Sequence, residues 1–341
     1  MIIMHELPSS FVDYDGFSDV LDFVAPDFNG MSRNTLKSEV MKLYEVEKSR
    51  TMMMFDENTS RIAITTDMWT SNQKKGYMVV TAHFIDNTWK LRSRILRFIY
   101  VPAPHNAITL ADELWNCLLD WNVDGKLSAL TVDSCTANDS MIKNYLLPKF
   151  STGSLLLGGK LFHMRCSAHI LNLIVNDGLD VIGDGVEKVR ETQCDSQYKN
   201  LPSESEWELA KVMCEHLKHF YKLTNLFSRT NYPTTNLLFP MICEMKLSLK
   251  SWLDSDVEMQ KGRYPILSKI ARDVLAIPVS IVASESAFST GGRTLSSHRS
   301  ILHPHTAEAL MCTQNWIWAQ RRGLVPEDEI LRGEVMDEDD E

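Results

Sequence analysis

Long apolar runs, paired cysteines and an excess of basic residues are all missing from this sequence. No stretch reaches the roughly 18 apolar residues of a membrane-spanning helix, so we predict no membrane partner. The start of the chain lacks the basic residues and the apolar core of a signal peptide. The seven cysteines are scattered, with no Cys-x-x-Cys pair, which is typical of a reducing compartment. We therefore expect no zinc in this chain.

The charge balance is unusual for a protein that follows DNA by charge alone. The net charge is −10, whereas such proteins normally carry a basic face. Part of the excess lies in the tail 323–341, which we expect to be solvated and disordered. A second interpretation is that this tail masks a basic surface. Its acidic residues are Glu327, Asp328, Glu329, Glu334, Asp337, Glu338, Asp339, Asp340 and Glu341.

Apolar periodicity divides the first hundred residues into two parts. Residues 1–58 carry helical spacing, with Ser32 as the cap of the longer helix, and predict a helical lead-in. Residues 61–100 carry three β-type runs, with a turn signal at Asp86, and predict an antiparallel meander. Alternation in the third run places every second residue from Leu91 to Ile99 on one face.

The next segments alternate between helix and strand. The predicted elements are a helix at 108–121, a strand at 127–132, a helix from about 138, a strand at 160–165 and a helix from about 166. Three antiparallel strands followed by parallel strands and helices are the element order of a ribonuclease H-like α/β fold. Helices then cover 203–227, 237–253 and 266–276. We also expect a helix that is capped by Ser280 and ends at Gly291, and a last helix at 304–320.

Asp67 closes the first apolar strand run, which begins at Ile62. A carboxylate at the end of a buried strand either starts a turn or points into a cleft, where it holds a cation. The same pattern recurs at 127–133, where a second apolar run ends in Asp133. If the two strands are neighbours, their carboxylates form the kind of site that binds Mg²⁺ together with phosphate oxygens.

Three further residues have side chains that can bind a metal or a phosphate. Glu285 lies among small apolar residues and calls for a metal or a partner, which makes it the third member of an acidic set. Cys166 and His169 have a spacing that places them on one helix face, but without a second pair they are a weak zinc signal. His169 has the alternative of bonding a phosphate or a neighbouring acid.

At these residues the chain resembles a plant-type hAT transposase of the zinc finger BED sleeper group, over roughly residues 1–325. The matching motifs are residues 65–71 around Asp67, residues 131–139 around Asp133, residues 165–173, and above all the block 264–293. The resemblance implies a ribonuclease H-like core, a mixed five-stranded sheet with helices, with a shortened helical insertion and a helical C-terminal dimerisation region.

The resemblance implies roles for individual residues. Asp67, Asp133 and Glu285 match the catalytic triad, which holds Mg²⁺ or Mn²⁺ in an active enzyme. Arg165, Cys166 and His169 match the part that lies near bound DNA. The residues expected at a homodimer interface are Leu310, Met311, Trp316 and Trp318, with Ile317 beside them.

The resemblance also implies where the domains lie and where the chain differs from the family. The expected divisions are a lead-in at 1–58, the first part of the core at 59–180, a truncated insertion at 181–260, the dimerisation region at 261–322 and the tail at 323–341. We expect the chain to begin beyond the BED finger, and to join across lost segments at 190–193 and 259–262. The first of these normally holds a base-stacking Trp motif.

The function expected from this pattern is that of a nuclear, transposase-derived protein that binds DNA, dimerises and has lost catalysis. The alternative is an active Mg²⁺-dependent DNA transposase that cuts terminal-repeat DNA. A third interpretation, that of an α/β protein whose strand-end Asp residues only form turns, ignores the block 264–293.

Overall fold

The computed structural model describes residues 1–25, 30–151, 153–170, 280–295 and 302–324, together with isolated positions beside these ranges. The predicted helices at 237–253 and 266–276, both predicted junctions and nearly all of the acidic tail lie outside the described residues, as does most of the predicted helix at 203–227. None of the helices among the described residues is long and apolar enough to cross a membrane.

The predicted meander is confirmed. Strands β1 (Ile62–Thr70), β2 (Gly76–Ile85) and β3 (Leu91–Val101) pair antiparallel in sequence order. The turn between β2 and β3 is fixed by Asp86, whose carboxylate accepts hydrogen bonds from the backbone N–H groups of Thr88 at 2.8 Å and Lys90 at 3.0 Å. Such a local bond to the backbone is the reason that Asp favours turns.

Two parallel strands complete the sheet. Helix α3 (Ala107–Asp120) crosses over from the meander to β4 (Leu127–Val132), which pairs parallel with β1, and β5 (His163–Arg165) pairs parallel with β4. The strand order is β3-β2-β1-β4-β5. This mixed five-stranded sheet confirms the ribonuclease H-like fold. Strand β5 is shorter than predicted, because residues 160–162 form a turn and pairing begins only at His163.

The prediction of one continuous face along β3 is wrong. Val80 pairs with Arg97 and Thr81 pairs with Ile95, so Leu96 is an extra residue in a β-bulge. A bulge interrupts the two-residue alternation of a strand. Ile95 and Leu96 are therefore both buried, although they are consecutive.

The helical lead-in consists of α1 (Asp15–Val24) and α2 (Arg33–Glu57). The predicted cap is confirmed, because Ser32 Oγ accepts a hydrogen bond from the Thr35 N–H at 3.1 Å. A short helix, α4 (Thr136–Ser140), follows β4 and begins two residues before the predicted position. After β5 the chain becomes helical at residue 167.

Helix α5 (Val282–Thr294) differs from the prediction at both ends. Ile281, not Ser280, occupies the cap position, and no side chain caps the helix. The helix also continues through Gly291 instead of ending there. At Gly291 a Cβ atom would lie 3.0 Å from Phe98 Cζ, so this glycine serves close packing of the helix on the sheet and not termination.

Helix α6 (Pro304–Leu324) covers the open edge of β3. Asn315 Oδ1 accepts from the Ile95 N–H at 3.0 Å, and the Trp316 indole N–H donates to the Ile95 carbonyl at 2.8 Å. These side chains satisfy polar groups that would otherwise pair with another strand.

Trp316 and Met311 lie in the core of the chain, so their predicted place on a dimer surface is corrected. Trp316 is fully buried and Met311 is 2% exposed. The Trp316 ring stacks on Tyr44 and meets Trp121 edge-on. Sequence composition alone does not separate these residues from surface aromatics, because a core position and an interface position both favour large apolar side chains.

Candidate active site

Asp67 and Asp133 occupy matching positions on neighbouring parallel strands. The prediction that Asp67 ends its strand is wrong, because β1 pairs with β2 through Asp67 as far as Thr70, whereas Asp133 directly follows the end of β4. Thr65 of β1 is in register with Thr131 of β4, and each aspartate lies two residues further along its chain. The predicted adjacency of the two strands is therefore confirmed. Because carboxyl ends of parallel strands meet at one edge of a sheet, both side chains belong to the same end of the core.

Asp133 is held by the helix that follows it. The side-chain amide of Asn138, in α4, donates to Asp133 Oδ1. The next residue, Asp139, accepts from Arg165 Nη2 at 2.5 Å, and its other oxygen lies 3.5 Å from His163 Nε2. Helix α4 therefore orients the acid at the end of β4 and also ties β4 to β5.

Glu285 reaches the same region from a distant part of the chain. It lies in the first turn of α5 and is exposed. Burial is the largest cause that raises the pKa of Asp67, and the charges of Asp133 and Glu285 also raise it, whereas a hydrogen bond from the Met68 N–H lowers it. Together these effects bring the pKa from 3.8 to about 7. The two other acids thus lie within electrostatic range of Asp67.

The three acids fit a divalent cation by their chemistry. Mg²⁺ and Mn²⁺ prefer carboxylate oxygens, and mutual repulsion among three carboxylates is relieved by a bound cation. Among the described residues, no three His, Cys, Asp or Glu side chains are arranged closely enough to hold a metal ion. Closing around a cation therefore requires side-chain rearrangement, and the ligand roles of these acids stay a prediction.

The predicted DNA-contacting residues begin directly beside this site. Arg165 ends β5 and is exposed, in an ion pair with Asp139. Cys166 is fully buried, and burial raises the pKa of its thiol, with a further contribution from Glu285. Cys166 Sγ accepts from the His169 N–H at 3.4 Å, so this pair is joined through the backbone.

Sequence reasoning missed two residues that position the acids. Asn138 was noticed only as part of a motif, although its distance of five residues from Asp133 suits a strand that turns directly into a helix. Ser284 was not singled out, and its hydroxyl lies 3.1 Å from that of Thr65. No local pattern indicates this second contact, because the two residues are 219 positions apart.

The predicted interface residues of α6 divide into two groups. Leu310 is half-buried and Trp318 is 39% exposed, and the Arg321 guanidinium lies 5.9 Å from the Trp318 ring. These two stay predictions for an interface, whereas Met311 and Trp316 belong to the core.

The fold, with Asp67 in β1 and Asp133 directly after the neighbouring β4, defines a ribonuclease H-like core of the kind found in transposases. Comparison with known families agrees with this class. The family model of the ZBED1 RNase-like domain matches residues 65–161, and that of the hAT family C-terminal dimerisation region matches residues 230–317.

The relatives of the chain are hAT transposases and zinc finger BED proteins, which confirms the predicted resemblance. The chain is 26% identical to the "Putative AC transposase" of Zea mays, with 94% of the chain aligned. It is 27% identical to the zinc finger BED domain-containing protein RICESLEEPER 2 of Oryza sativa, with 80% aligned, and 29% identical to DAYSLEEPER of Arabidopsis thaliana, with 53% aligned.

The chain spans only part of these relatives, namely 65% of the maize protein, 45% of RICESLEEPER 2 and 26% of DAYSLEEPER. The alignment with the maize protein runs over 522 positions, although this chain has 341 residues. At least 181 aligned positions of the relative therefore have no counterpart here. Because these gaps lie inside the aligned region, internal segments of the relative are absent from this chain.

Proposed function

We propose that this chain is a nuclear, hAT transposase-derived protein that binds DNA as a homodimer and retains the acidic site but has little or no strand-transfer activity. The proposal rests on one contrast: the three acids are retained, whereas internal segments of a relative are absent from this chain. The three acids lie in one electrostatic cluster, whereas at least 181 aligned positions of a full-length relative are missing.

In this proposal Asp67, Asp133 and Glu285 hold a divalent cation. A bound Mg²⁺ or Mn²⁺ supplies charge for a phosphodiester oxygen and activates water. The protein side chains supply the oxygen ligands, and Asn138 keeps Asp133 oriented.

Catalysis is expected to be lost because positioning is lost. Holding reactants in place accounts for about 7–11 kcal/mol of a barrier, and a displacement of about 1 Å costs on the order of 100-fold in rate. The predicted junctions at 190–193 and 259–262 remove segments that would hold DNA against the acids.

DNA contact in this proposal comes from Arg165 and His169, with Cys166 as a packing residue beneath them. Arg165 is exposed beside Asp133, and its ion pair with Asp139 is weak enough to exchange for a phosphate. Dimerisation is supported by the match to the hAT dimerisation region, with Leu310 and Trp318 at the interface.

The second candidate is an active Mg²⁺-dependent transposase. The presence of all three acids favours it, since loss of catalysis often leaves a triad incomplete. The two candidates make opposite predictions in one assay.

The test uses the full chain with an hAT terminal-repeat DNA and Mg²⁺ or Mn²⁺. We expect DNA binding that weakens with salt, and no cleavage or strand transfer above that of Glu285→Gln. Cleavage by the wild-type chain that Glu285→Gln abolishes would establish the active alternative. Absence of any DNA binding at low salt would overturn the proposal itself. Arg61→Ala serves as the matched control for Arg165→Ala, because Arg61 instead bonds backbone carbonyls at the other end of the sheet.

A further inference from the structure

Helix α5 touches β1 on both sides of Asp67. The hydroxyl of Thr65, two residues before Asp67, lies 3.1 Å from that of Ser284. The ring of Trp69, two residues after Asp67, stacks on Phe288 with centroids 5.9 Å apart and planes at 21°. Two separate contacts, one polar and one aromatic, therefore join this helix to this strand.

The spacing of the contacts places Glu285 between them. Successive side chains of a strand alternate, so Thr65, Asp67 and Trp69 share one face of β1. Residues one turn apart share a helix face, which places Ser284 and Phe288 on the face of α5 that meets the sheet. Glu285 follows Ser284 directly, so its height along β1 is set by the same two contacts.

The polar contact belongs to a buried chain of three side chains. Thr65 Oγ1 also lies 3.0 Å from His83 Nε2, and His83, Thr65 and Ser284 are 4%, 0% and 0% exposed. A buried polar group that loses its partner is disfavoured, because it has also lost its bonds to water. A slide of α5 along β1 would break the bond between Thr65 and Ser284. These buried hydrogen bonds therefore favour one position of the helix on the strand.

The Trp69 ring also packs along two glycines of α5. The Trp69 ring lies against Gly291 and Gly292, where added Cβ atoms would both come within 3.8 Å of it. The indole is thus held between the glycine surface of α5 and Phe288. Stacked aromatic pairs stabilise a contact beyond what the burial of their area contributes.

We propose that Thr65–Ser284 and Trp69–Phe288 together form a positioning clamp that sets Glu285 opposite Asp67. The proposal rests on the acidic site of the proposed function and adds the residues that bring its third member into place. None of the four is a catalytic residue, since each acts on Glu285 only through the placement of α5. The clamp does not require the missing segments of the relatives, because its members lie in β1 and α5.

The experiment replaces Mg²⁺ with Fe²⁺ and maps backbone cleavage by the hydroxyl radicals that bound iron generates with ascorbate and peroxide. In the wild-type chain we expect cuts near Asp67, Asp133 and Glu285. In the double variant Ser284→Ala with Phe288→Leu, the cut near Glu285 is lost while the cuts near Asp67 and Asp133 remain. The control is Ser286→Ala with Ser289→Ala, which alters two exposed residues of the same helix.

Hydrogen exchange of the α5 amides is measured on the same samples without metal. Loss of α5 protection in the double variant but not in the control, with the selective loss of the cut near Glu285, supports the clamp. An unchanged cut near Glu285 in the double variant overturns it. If the wild-type chain shows no cut at any acid while α5 loses protection only in the double variant, the docking contacts stand and the metal site of the proposed function fails.

Two single variants of Phe288 give a second check, since the double variant also weakens packing. Phe288→Tyr retains a ring to stack on Trp69 and is expected to keep the cut near Glu285. Phe288→Leu alone is expected to reduce that cut. Equal cutting in these two single variants would show that the Trp69–Phe288 contact is not part of the clamp.

Discussion

The Trp316 indole N–H donates to the Ile95 carbonyl at 2.8 Å, and this bond fastens the last described helix to the open edge of the sheet. It forms at the bulge where β3 loses its alternation. The region expected to face a second subunit therefore contributes first to the core of its own chain.

Trp316→Ala is expected to destabilise the fold by about 3–5 kcal/mol, because it removes a fully buried indole and leaves a cavity. Denaturant unfolding measures the change. Trp318→Ala is the matched variant on the same helix, and its effect on the stability of the monomer should stay within about 0.5 kcal/mol, since its ring is 39% exposed.

Light scattering tests the interface at Leu310 and Trp318, the two predicted interface residues of α6 that are not fully buried. Trp318→Ala with Leu310→Ala is expected to shift a dimer toward the monomer. A dimer unaffected by both changes would show that the interface lies elsewhere in the chain.

Asp67→Asn is expected to stabilise the metal-free protein at pH 8. Burial and two like charges raise the pKa of Asp67 from 3.8 to about 7, so the folded state prefers the protonated form. The stability that this proton contributes is fully present below about pH 4 and is lost as pH rises through 7. We expect the free energy of unfolding to rise by roughly 1–2 kcal/mol. This is less than the energy that corresponds to the whole pKa shift, because solvent screens a half-buried carboxylate.

Addition of Mg²⁺ should reverse this order by stabilising the wild-type chain and not Asp67→Asn. Thermal unfolding at pH 8 with and without Mg²⁺ tests both statements. Asp56→Asn, at an exposed position of α2, controls for the loss of one negative charge. A variant less stable than wild type without metal would contradict the electrostatic account.

His83 should make the protein sensitive to acid. Burial lowers the pKa of His83 from 6.5 to about 3, so only the unfolded state takes up this proton between those values. The stability is therefore intact above pH 6.5 and lost as pH falls toward 3, by about 1.4 kcal/mol per pH unit.

Urea unfolding between pH 7 and pH 5 measures that slope. His83→Gln is expected to flatten it, since glutamine does not titrate and still offers a partner to Thr65. His5→Gln, at an exposed position, should keep the wild-type slope. Equal slopes in all three proteins would mean that His83 takes up its proton as readily in the folded state as in the unfolded state.

Gly291→Ala is expected to destabilise the protein, although alanine is favoured over glycine in a helix by about 1 kcal/mol. An added Cβ would lie 3.0 Å from Phe98 Cζ, which forces the helix away from the sheet. Overpacking of this kind costs about 1–3 kcal/mol.

Gly292→Ala is the neighbouring control, since its Cβ would lie at an ordinary 3.8 Å from Trp69. It should be neutral or stabilising in the same unfolding experiment. If the two glycine variants change the stability alike, the explanation that Gly291 is required for close packing on Phe98 is wrong.

Much of the fold was predictable because it depends on local patterns. The meander, the helix at 107–120 and the Ser32 cap follow from periodicity and from capping chemistry, which act over a few residues. The bulge at Leu96 and the extension of α5 through Gly291 were not predictable, since both arise from contacts with other elements.

The candidate site divides in the same way. The sequence by itself determined that two buried apolar runs are each closed by an aspartate, because such runs are visible along the chain. Only the tertiary structure decided that these strands are neighbours in register, and that Ser284 and Phe288 hold α5 against β1. The physical reason is that a contact between residues 219 positions apart is set by packing of whole elements, and packing leaves no periodic trace in either segment.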